Sequence, residues 1–377
     1  NALGTGDVTI ETEAYVSGSA GSSVDTSSDG TDSENSDDGD TTDGDIYVNS
    51  DITWDTAQKL TLNAADSIYI NSSITATNDD GKLALYYGQG AVAASNDANY
   101  FINAPINIKA GDNFFTKLGS DGTETTWKVI TDLGVEGDTT SVSGDMTLQG
   151  INTSLAGNYV LGDDIDASGT STWNSNGSTG YYGFDSIGES STRFTGTFDG
   201  LGNSIDGLYI SRSSEDNIGL FGHVKLSTIQ NIAVTNVDIT GKNNVGGIVG
   251  FNDNNSTVSN SYSTGSVGGT GNQVGGLVGN NYNRSTVDNS YSRTNVAGIT
   301  KIGGFIGSND NSTVSNSYST GSVVGTNDVG GLVGNNYNST ISNSFYDEET
   351  NSETTMNDIP LGKTKAEITA LVTNGTW

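Results

Sequence analysis

The residues best suited to binding a metal ion lie in one acidic run near the start of the chain. Residues 25–45 contain eight aspartates and Glu34, and no lysine or arginine. Carboxylates alternate here with small residues, at Asp37, Asp38, Asp40, Asp43 and Asp45. Hard cations such as Ca²⁺ take several oxygen ligands from closely spaced positions of one loop. These five aspartates are the candidate calcium ligands, and the sequence suggests no other cofactor.

The same acidic run also has a simpler interpretation. The glutamate that closes an EF-hand loop is missing from its expected position. A segment with many like charges and almost no apolar residues cannot form a core, so it stays solvated. We therefore expect residues 25–45 to form a loop outside the core, whether or not calcium binds there.

Aromatic side chains form the second candidate site. Trp173, Tyr181 and Tyr182 lie in the polar loop 168–183, close in sequence to aspartates and asparagines. Aromatic rings with an apolar face and a polar edge are common where proteins contact other molecules, sugars included. The loop is therefore a candidate glycan-binding edge. An equally good interpretation is that these rings cover an open flank of the fold.

Catalysis is not expected from this sequence. Its single histidine, His223, follows a Gly-Leu-Phe-Gly stretch without a repeated acid beside it, so we expect an exposed turn residue. Carboxylate pairs for glycoside hydrolysis could be drawn from five aspartates: Asp163, Asp164, Asp166, Asp185 and Asp199. A chain this rich in acids always offers such pairs, so they carry little weight. The sequence predicts a protein that is not an enzyme.

The element that organises the chain is a repeat in its second half. A block of the pattern V-G-G-L-V-G begins at Val245, Val274, Ile302 and Val329, and its equivalent glycines are 29, 28 and 27 residues apart. Short β-branched runs between Gly, Asn and Ser predict strands and turns, with no helical spacing. Repeats of this length stack, because one coil cannot bury its own inner face. The sequence therefore predicts an all-β fold, a β-solenoid.

Stacking places equivalent residues of successive coils above one another. We expect the inner stripe to contain Val258, Val287, Val314 and Ile341. We expect an amide ladder at Asn260, Asn289, Asn316 and Asn343. We expect stacked rings at Tyr262, Tyr291, Tyr318 and Phe345. Ser312, just before the strand of the third coil, is predicted to lie on an outer turn.

Composition restricts the functions that remain. The chain has 377 residues, no cysteine and a formal net charge of −31. Disulfides and thiolate metal sites are excluded. The acidic charge argues against nucleic acid as a partner. No apolar run approaches the length of a membrane span, so we expect no membrane insertion.

The repeated block, followed by S-N-S-Y-S-T-G-S-V, resembles the GLUG motif of large bacterial surface proteins. Upstream segments such as Leu60–Ala64 and Phe194–Gly202 are similar to segments of filamentous-haemagglutinin-like exoproteins of two-partner secretion. The secretion-signal domain of that family is not recognisable here. The resemblance implies a right-handed parallel β-helix, exported through an outer-membrane transporter and displayed on the bacterial outer surface or released.

The resemblance also implies a domain order and a function. Residues 1–135 would be a haemagglutinin-like β-helix segment with the acidic loop 25–45, residues 145–240 irregular coils, residues 241–346 GLUG coils, and residues 347–377 a cap. Thr364 is the expected N-cap of a helix in that cap. The predicted function is an extracellular structural or adhesive module: a stalk, a filament subunit that self-associates, or an adhesin that binds surface glycans or proteins. The alternative is a polysaccharide lyase or hydrolase, or a carbohydrate-binding module, on the same fold.

Overall fold

The computed structural model describes residues 2–12, 44–138, 147–351 and 362–373. Four of the five candidate calcium ligands, Asp37, Asp38, Asp40 and Asp43, lie outside the described residues, and Asp45 lies within them. The chain divides into two compact units. Unit 1 comprises residues 1–131, 160–163 and 201–203, and unit 2 comprises residues 132–159, 164–200 and 204–377.

Unit 1 is built from short strands. They are β1 (Val8–Glu11), β2 (Ile46–Val48), β3 (Ile52–Trp54), β4 (Lys59–Asn63), β5 (Ile68–Ile70), β6 (Ile74–Ala76), β7 (Lys82–Tyr87), β8 (Tyr100–Ile102), β9 (Ile106–Asn107), β10 (Gly111–Leu118) and β11 (Thr125–Ile130). Three parallel stacks run β1-β4-β7-β10, β2-β5-β8 and β3-β6-β9, and β11 pairs antiparallel with β10. A further strand, β12 (Asn158–Leu161), has its first two residues in unit 2 and its last two in unit 1.

Alternation of side chains creates the core of unit 1. In β5, Ile68 and Ile70 are fully buried while Tyr69 between them points outward. Tyr69 stacks on Tyr47 at 4.7 Å and on Phe101 at 4.8 Å between ring centroids. Because the side-chain period of a strand is two, one register of pairing buries the isoleucines and stacks the rings outside.

Unit 2 contains the remaining strands and the helix. They are β13 (Ile165–Asp166), β14 (Thr197–Asp199), β15 (Ser204–Asp206), β16 (Tyr209–Ser211), β17 (Phe221–Lys225), β18 (Thr228–Gln230), β19 (Ala233–Gly241), β20 (Val249–Asp253), β21 (Thr257–Ser259), β22 (Tyr262–Gly269), β23 (Asn272–Gly275), β24 (Val278–Tyr282), β25 (Thr286–Asp288), β26 (Tyr291–Ala297), β27 (Thr300–Gly303), β28 (Ile306–Asp310), β29 (Thr313–Ser315), β30 (Tyr318–Ser319), β31 (Val323–Val324), β32 (Asn327–Gly330), β33 (Val333–Tyr337), β34 (Thr340–Ser342), β35 (Phe345–Asp347), β36 (Gly362–Lys363) and α1 (Lys365–Thr373).

The repeats of unit 2 stack as parallel coils, which confirms the predicted fold. One face runs β14-β18-β21-β25-β29-β34, a second runs β17-β20-β24-β28-β33, and a third runs from β13 through β19, β22, β26 and β30 to β36. Val258, Val287 and Val314 pair in register and are fully buried, as predicted for the inner stripe. Ile341, in the last coil, is only half-buried.

The repeated glycines allow the coils to approach one another. A Cβ on Gly247 would lie 2.5 Å from the carbonyl oxygen of Gly276 in the next coil. Real side chains do not make contacts that short, so any other residue would push the coils apart. The Gly-Gly pair is therefore a packing requirement of the scaffold, repeated once per coil.

Helix α1 follows β36 on the third face. The Thr364 hydroxyl accepts a hydrogen bond from the Glu367 amide at 3.3 Å, and the Glu367 carboxylate accepts one from the Thr364 amide at 2.8 Å. This reciprocal arrangement is a capping box, so the predicted N-cap is confirmed. Ile368 is buried in a cluster with Tyr318 and Phe345, whereas Ala366 is exposed.

Candidate functional site

Serine ladders run inside the repeats, and they correct one prediction. Ser312 is buried, at 5% exposure, rather than on an outer turn. Its hydroxyl accepts a hydrogen bond from the Ser285 amide at 3.2 Å and donates one to the Asp310 carbonyl at 3.0 Å. A serine that satisfies its own hydroxyl in this way fits inside a coil, because none of its polar atoms is left unpaired.

The same pattern recurs at two corners of every coil. At the first corner, amide-to-hydroxyl bonds link Ser256 to Ser285, Ser285 to Ser312, and Ser312 to Ser339, over 2.9 to 3.2 Å. At the second corner, they link Ser261 to Ser290, Ser290 to Ser317, and Ser317 to Ser344, over 3.1 to 3.3 Å. Each coil therefore offers the next coil the same hydrogen-bonding partners.

A buried asparagine ladder was missed at the sequence level. The side-chain amide of Asn252 donates to the side-chain oxygen of Asn281 at 2.8 Å, Asn281 donates to Asn309 at 2.8 Å, and Asn309 donates to Asn336 at 2.9 Å. Asn252, Asn281 and Asn309 have no exposed surface. Their recurrence after each V-G-G-L-V-G block was the signal that could have revealed them.

The asparagines that were expected to form the ladder serve mainly to turn the chain. Asn260, Asn289, Asn316 and Asn343 all have positive φ, between 45° and 49°. Asparagine tolerates this left-handed conformation better than most residues. An amide-to-amide bond joins Asn343 to Asn316 at 3.3 Å, while Asn316 also donates to Asp288. Among these four described positions, the predicted ladder thus holds for that pair.

The predicted ring stack is confirmed on the outer side of the third face. Tyr262 and Tyr291 stack at 4.6 Å, and Tyr291 and Tyr318 at 4.8 Å, with their planes within 5°. Arg293 lies over the Tyr291 ring at 5.1 Å. Burial within the stack, with the neighbouring tyrosines, raises the pKa of the Tyr291 hydroxyl above its ordinary value. The three tyrosines thus form a packed column.

His223 was predicted to be an exposed turn residue, and that prediction was wrong. The ring is 4% exposed, lies on β17 and contacts Phe251 at 4.6 Å between centroids. Its Nε2 is 3.5 Å from a carboxylate oxygen of Asp253, too long for a strong hydrogen bond. Burial lowers the pKa of His223 below its ordinary 6.5, although Asp253 partly opposes this. A neutral imidazole in this setting is part of the core.

The candidate glycan edge is a hairpin-like loop in unit 2. Trp173 is half-buried and stacks on Phe184 at 6.4 Å, so it mainly packs the loop onto the coil. Tyr181 and Tyr182 are 39% and 40% exposed. The Arg212 guanidinium lies 5.4 Å from the Tyr182 ring and forms an ion pair with Asp185. The structure thus brings Tyr182 next to an arginine–carboxylate pair that the sequence had not linked to it.

The described part of the acidic run contributes a structural carboxylate. Asp45 accepts hydrogen bonds from the Ser67 amide at 2.8 Å and the Tyr47 hydroxyl at 3.0 Å. Among the residues described, no group of three or more histidine, cysteine, aspartate or glutamate side chains is placed to hold a metal ion. Calcium binding by the other four aspartates remains a prediction.

No helix in the described ranges is long and apolar enough to cross a membrane.

Comparison with known proteins bears on the repeats. The GLUG motif matches residues 241–268 and 300–324. Two coils of this chain carry that motif. The chain is also 32% identical over 219 residues to halomucin of Haloquadratum walsbyi. That alignment covers 55% of this chain and 2% of halomucin, so the chain spans a small part of that relative's length.

These matches support the GLUG part of the resemblance. The first and third of the four blocks fall within the matched segments. The second and fourth blocks are structurally equivalent to them, because β24 and β33 pair in register with the neighbouring strands. The haemagglutinin-like segment and the two-partner secretion route stay predictions.

Proposed function

We propose that this chain is a structural spacer within a large extracellular surface protein. The observation that carries the proposal is the buried asparagine ladder, which continues unchanged from Asn252 through Asn281 and Asn309 to Asn336. Each coil offers the next coil the same asparagine hydrogen bond that it makes with the coil before it. Adding a coil therefore lengthens the protein without changing the contacts between coils, as expected for a solenoid stabilised by nearest-neighbour contacts.

Two further observations support this proposal. The GLUG match lies on the stacked coils themselves, at residues 241–268 and 300–324. The match to halomucin occupies 2% of that protein, so a segment of this kind can occur inside a very long chain. The net charge of −31 would keep such a spacer soluble and separated from its neighbours.

A coil-insertion experiment tests the spacer proposal. Duplicating residues 304–330 adds one complete coil of 27 residues, the spacing between the third and fourth blocks. We expect this variant to fold and to melt at the same or a higher temperature, since it adds one coil and one interface. The control is an insertion of residues 304–316, which breaks the inner stripe and should lower the melting temperature. Unfolding of the full-coil variant, or equal behaviour of both variants, would contradict the proposal.

We further propose an adhesive role for the loop that carries Tyr181 and Tyr182. Both rings are exposed, and Tyr182 lies beside the Arg212–Asp185 ion pair. Apolar ring faces next to charged hydrogen-bonding groups suit a surface glycan. Binding of the protein to a glycan array would be compared with that of Tyr181→Ala and Tyr182→Ala. Tyr337→Ala, at another exposed tyrosine, is the control. Equal binding by all variants would remove this loop from the proposal.

The route to the surface rests on the resemblance alone. We propose export through a partner outer-membrane transporter, display on the bacterial outer surface, and self-association as the route to filaments. Secretion in a bacterial host with and without such a transporter tests the route. The catalytic alternative is tested by screening acidic polysaccharides for product release. Turnover abolished by a single Asp→Asn substitution would overturn the structural proposal.

A further inference from the structure

The last repeated coil is closed on one face and open on the others. On the third face, β36 pairs with β35, and Phe345 and Asp347 stay buried at 8% and 4% exposure. On the other faces, β32, β33 and β34 are the terminal strands of their sheets among the described residues. Within the part of the chain that the structure describes, helix α1 and β36 therefore cap only the third face of this end.

Burial falls at the open end, position by position. Val287 and Val314 are fully buried, whereas the equivalent Ile341 is half-buried. The ladder asparagines Asn281 and Asn309 are fully buried, whereas Asn336 is half-buried. The residue type at each position is nearly the same in every coil, so the loss of burial comes from the position of the last coil. Interior positions of the scaffold are thus partly exposed to solvent at this end.

At the open end, hydrogen-bond donors of two ladders have no following coil among the described residues. In each preceding coil, the asparagine amide donates onward to the following coil, and so does the amide of the first-corner serine. For Asn336 the structure gives only a 3.4 Å bond back to the Ser339 carbonyl, and the following coil that would accept is not among the described residues. Donors at fixed positions of an open strand edge are what an added strand pairs with.

Charge distinguishes residues 329–346 from the equivalent stretches of the three preceding coils. Residues 329–346 contain no charged residue in a chain of net charge −31. The equivalent stretches of the three preceding coils each contain at least one: Asp253 in the first, Arg284 and Asp288 in the second, and Asp310 in the third. Proteins usually protect strand edges with charges or proline. Here the terminal strands β33 and β34 have neither, whereas the terminal strand β32 carries Asp328.

We propose that the open edges of β33 and β34 are a docking surface for a GLUG-type segment of a different protein. A folded second copy of this chain has no free segment of that kind among its described repeats, because their opposite edges are already paired, β20 with β17 and β21 with β18. That segment would add one coil's pair of strands in parallel, accept the Asn336 amide with its own asparagine oxygen, and cover Ile341 with its inward valine. The interface would continue the contacts already made between coils. This inference does not depend on the spacer proposal, which stands if docking fails.

The experiment uses the intact protein and a synthetic peptide with the sequence of residues 304–320, labelled with a fluorophore. Fluorescence anisotropy measures its binding at moderate salt, and a scrambled peptide of the same composition is the control. Asn336→Asp keeps the oxygen that accepts from Asn309 but removes the outward donor. We expect it to bind about tenfold more weakly than the wild type.

Asn338→Asp is the matched variant, because it adds the same charge two residues away, at an exposed turn position whose equivalent Asn311 stays exposed although a coil follows it. We expect it to bind the peptide nearly as well as the wild type. Absent or non-saturable binding, equal binding of the scrambled peptide, or equal loss in both variants would overturn the proposal. Sedimentation velocity without peptide measures whether the protein self-associates through this surface. Self-association abolished by Asn336→Asp would place a second copy of the protein on this surface and overturn the assigned occupant.

Discussion

Replacing Val314 with aspartate tests which side of strand β29 faces the inside of the solenoid. Val314 is fully buried, and its register partners are Val287 and Ile341. Losing the valine costs about 1.5–3 kcal/mol of burial, and an unpaired carboxylate between coils costs about 3–5 kcal/mol. The carboxyl can avoid part of this by taking up a proton, so we expect a net loss of at least about 3 kcal/mol in the free energy of unfolding at neutral pH.

The matched control is the adjacent residue on the same strand. Thr313 points outward from β29 and is half-buried, so Thr313→Asp should cost no more than about 0.5 kcal/mol. Urea unfolding followed by circular dichroism measures both variants. A buried carboxyl has a raised pKa in the folded state, so the loss in Val314→Asp should shrink as the pH falls toward about 4. Equal losses in the two variants would refute the register described for the coils.

Three further predictions concern the ladders, the histidine and the acidic run. Ser312→Ala removes the acceptor of the buried Ser285 amide, so stability should fall by about 1–3 kcal/mol and that amide should exchange faster with deuterium; an unchanged exchange rate would argue against the ladder. Burial holds the folded-state pKa of His223 below 6.5, so the folded state binds fewer protons and stability should fall as the pH drops through about 6.5. His223→Gln should lose that part of the pH dependence in thermal melts, and identical profiles would contradict the assignment. Millimolar calcium should raise the melting temperature and slow proteolysis within residues 25–45 more than magnesium does, and deletion of residues 29–43 should abolish the effect; equal cleavage with calcium and with chelator would leave a solvated loop.

The solenoid could be predicted because its repeat contains the two periods that define it. The spacing of 27 to 29 residues gives the coil, and alternation within Thr-Val-Ser gives the inner stripe at Val258, Val287 and Val314. The stacked tyrosines follow from the same register. These features depend on local pattern and on nothing distant in the chain, so one sequence is enough to reveal them.

The polar interior was harder to predict, for a physical reason. A rule that places polar residues outside fails for Ser312, because its hydroxyl donates to the Asp310 carbonyl and accepts from the Ser285 amide. Each coil has an inward asparagine and a turn asparagine that both recur once per coil, and recurrence alone does not show which of the two points inward. His223 was misplaced because it occurs once, whereas its burial depends on Phe251 in the next coil.

The candidate glycan edge shows the limit of reading a loop from its composition. Trp173, Tyr181 and Tyr182 were grouped because they are close in sequence. The structure assigns Trp173 to packing against Phe184 and leaves the two tyrosines exposed. Arg212, which lies beside Tyr182, comes from a different part of the chain and could only be found through the fold.

Distances between spin labels test the stacking of coils most directly. The chain has no cysteine, so pairs of introduced cysteines can be labelled uniquely. Thr228, Thr257, Thr286, Thr313 and Thr340 occupy equivalent outward positions in consecutive coils. With one label at Thr228 and the other moved from Thr286 to Thr313 to Thr340, electron paramagnetic resonance should give distances that grow by about 4.8 Å per coil, to about 19 Å between the backbones at Thr340. Distances that do not increase coil by coil would contradict the stacked solenoid.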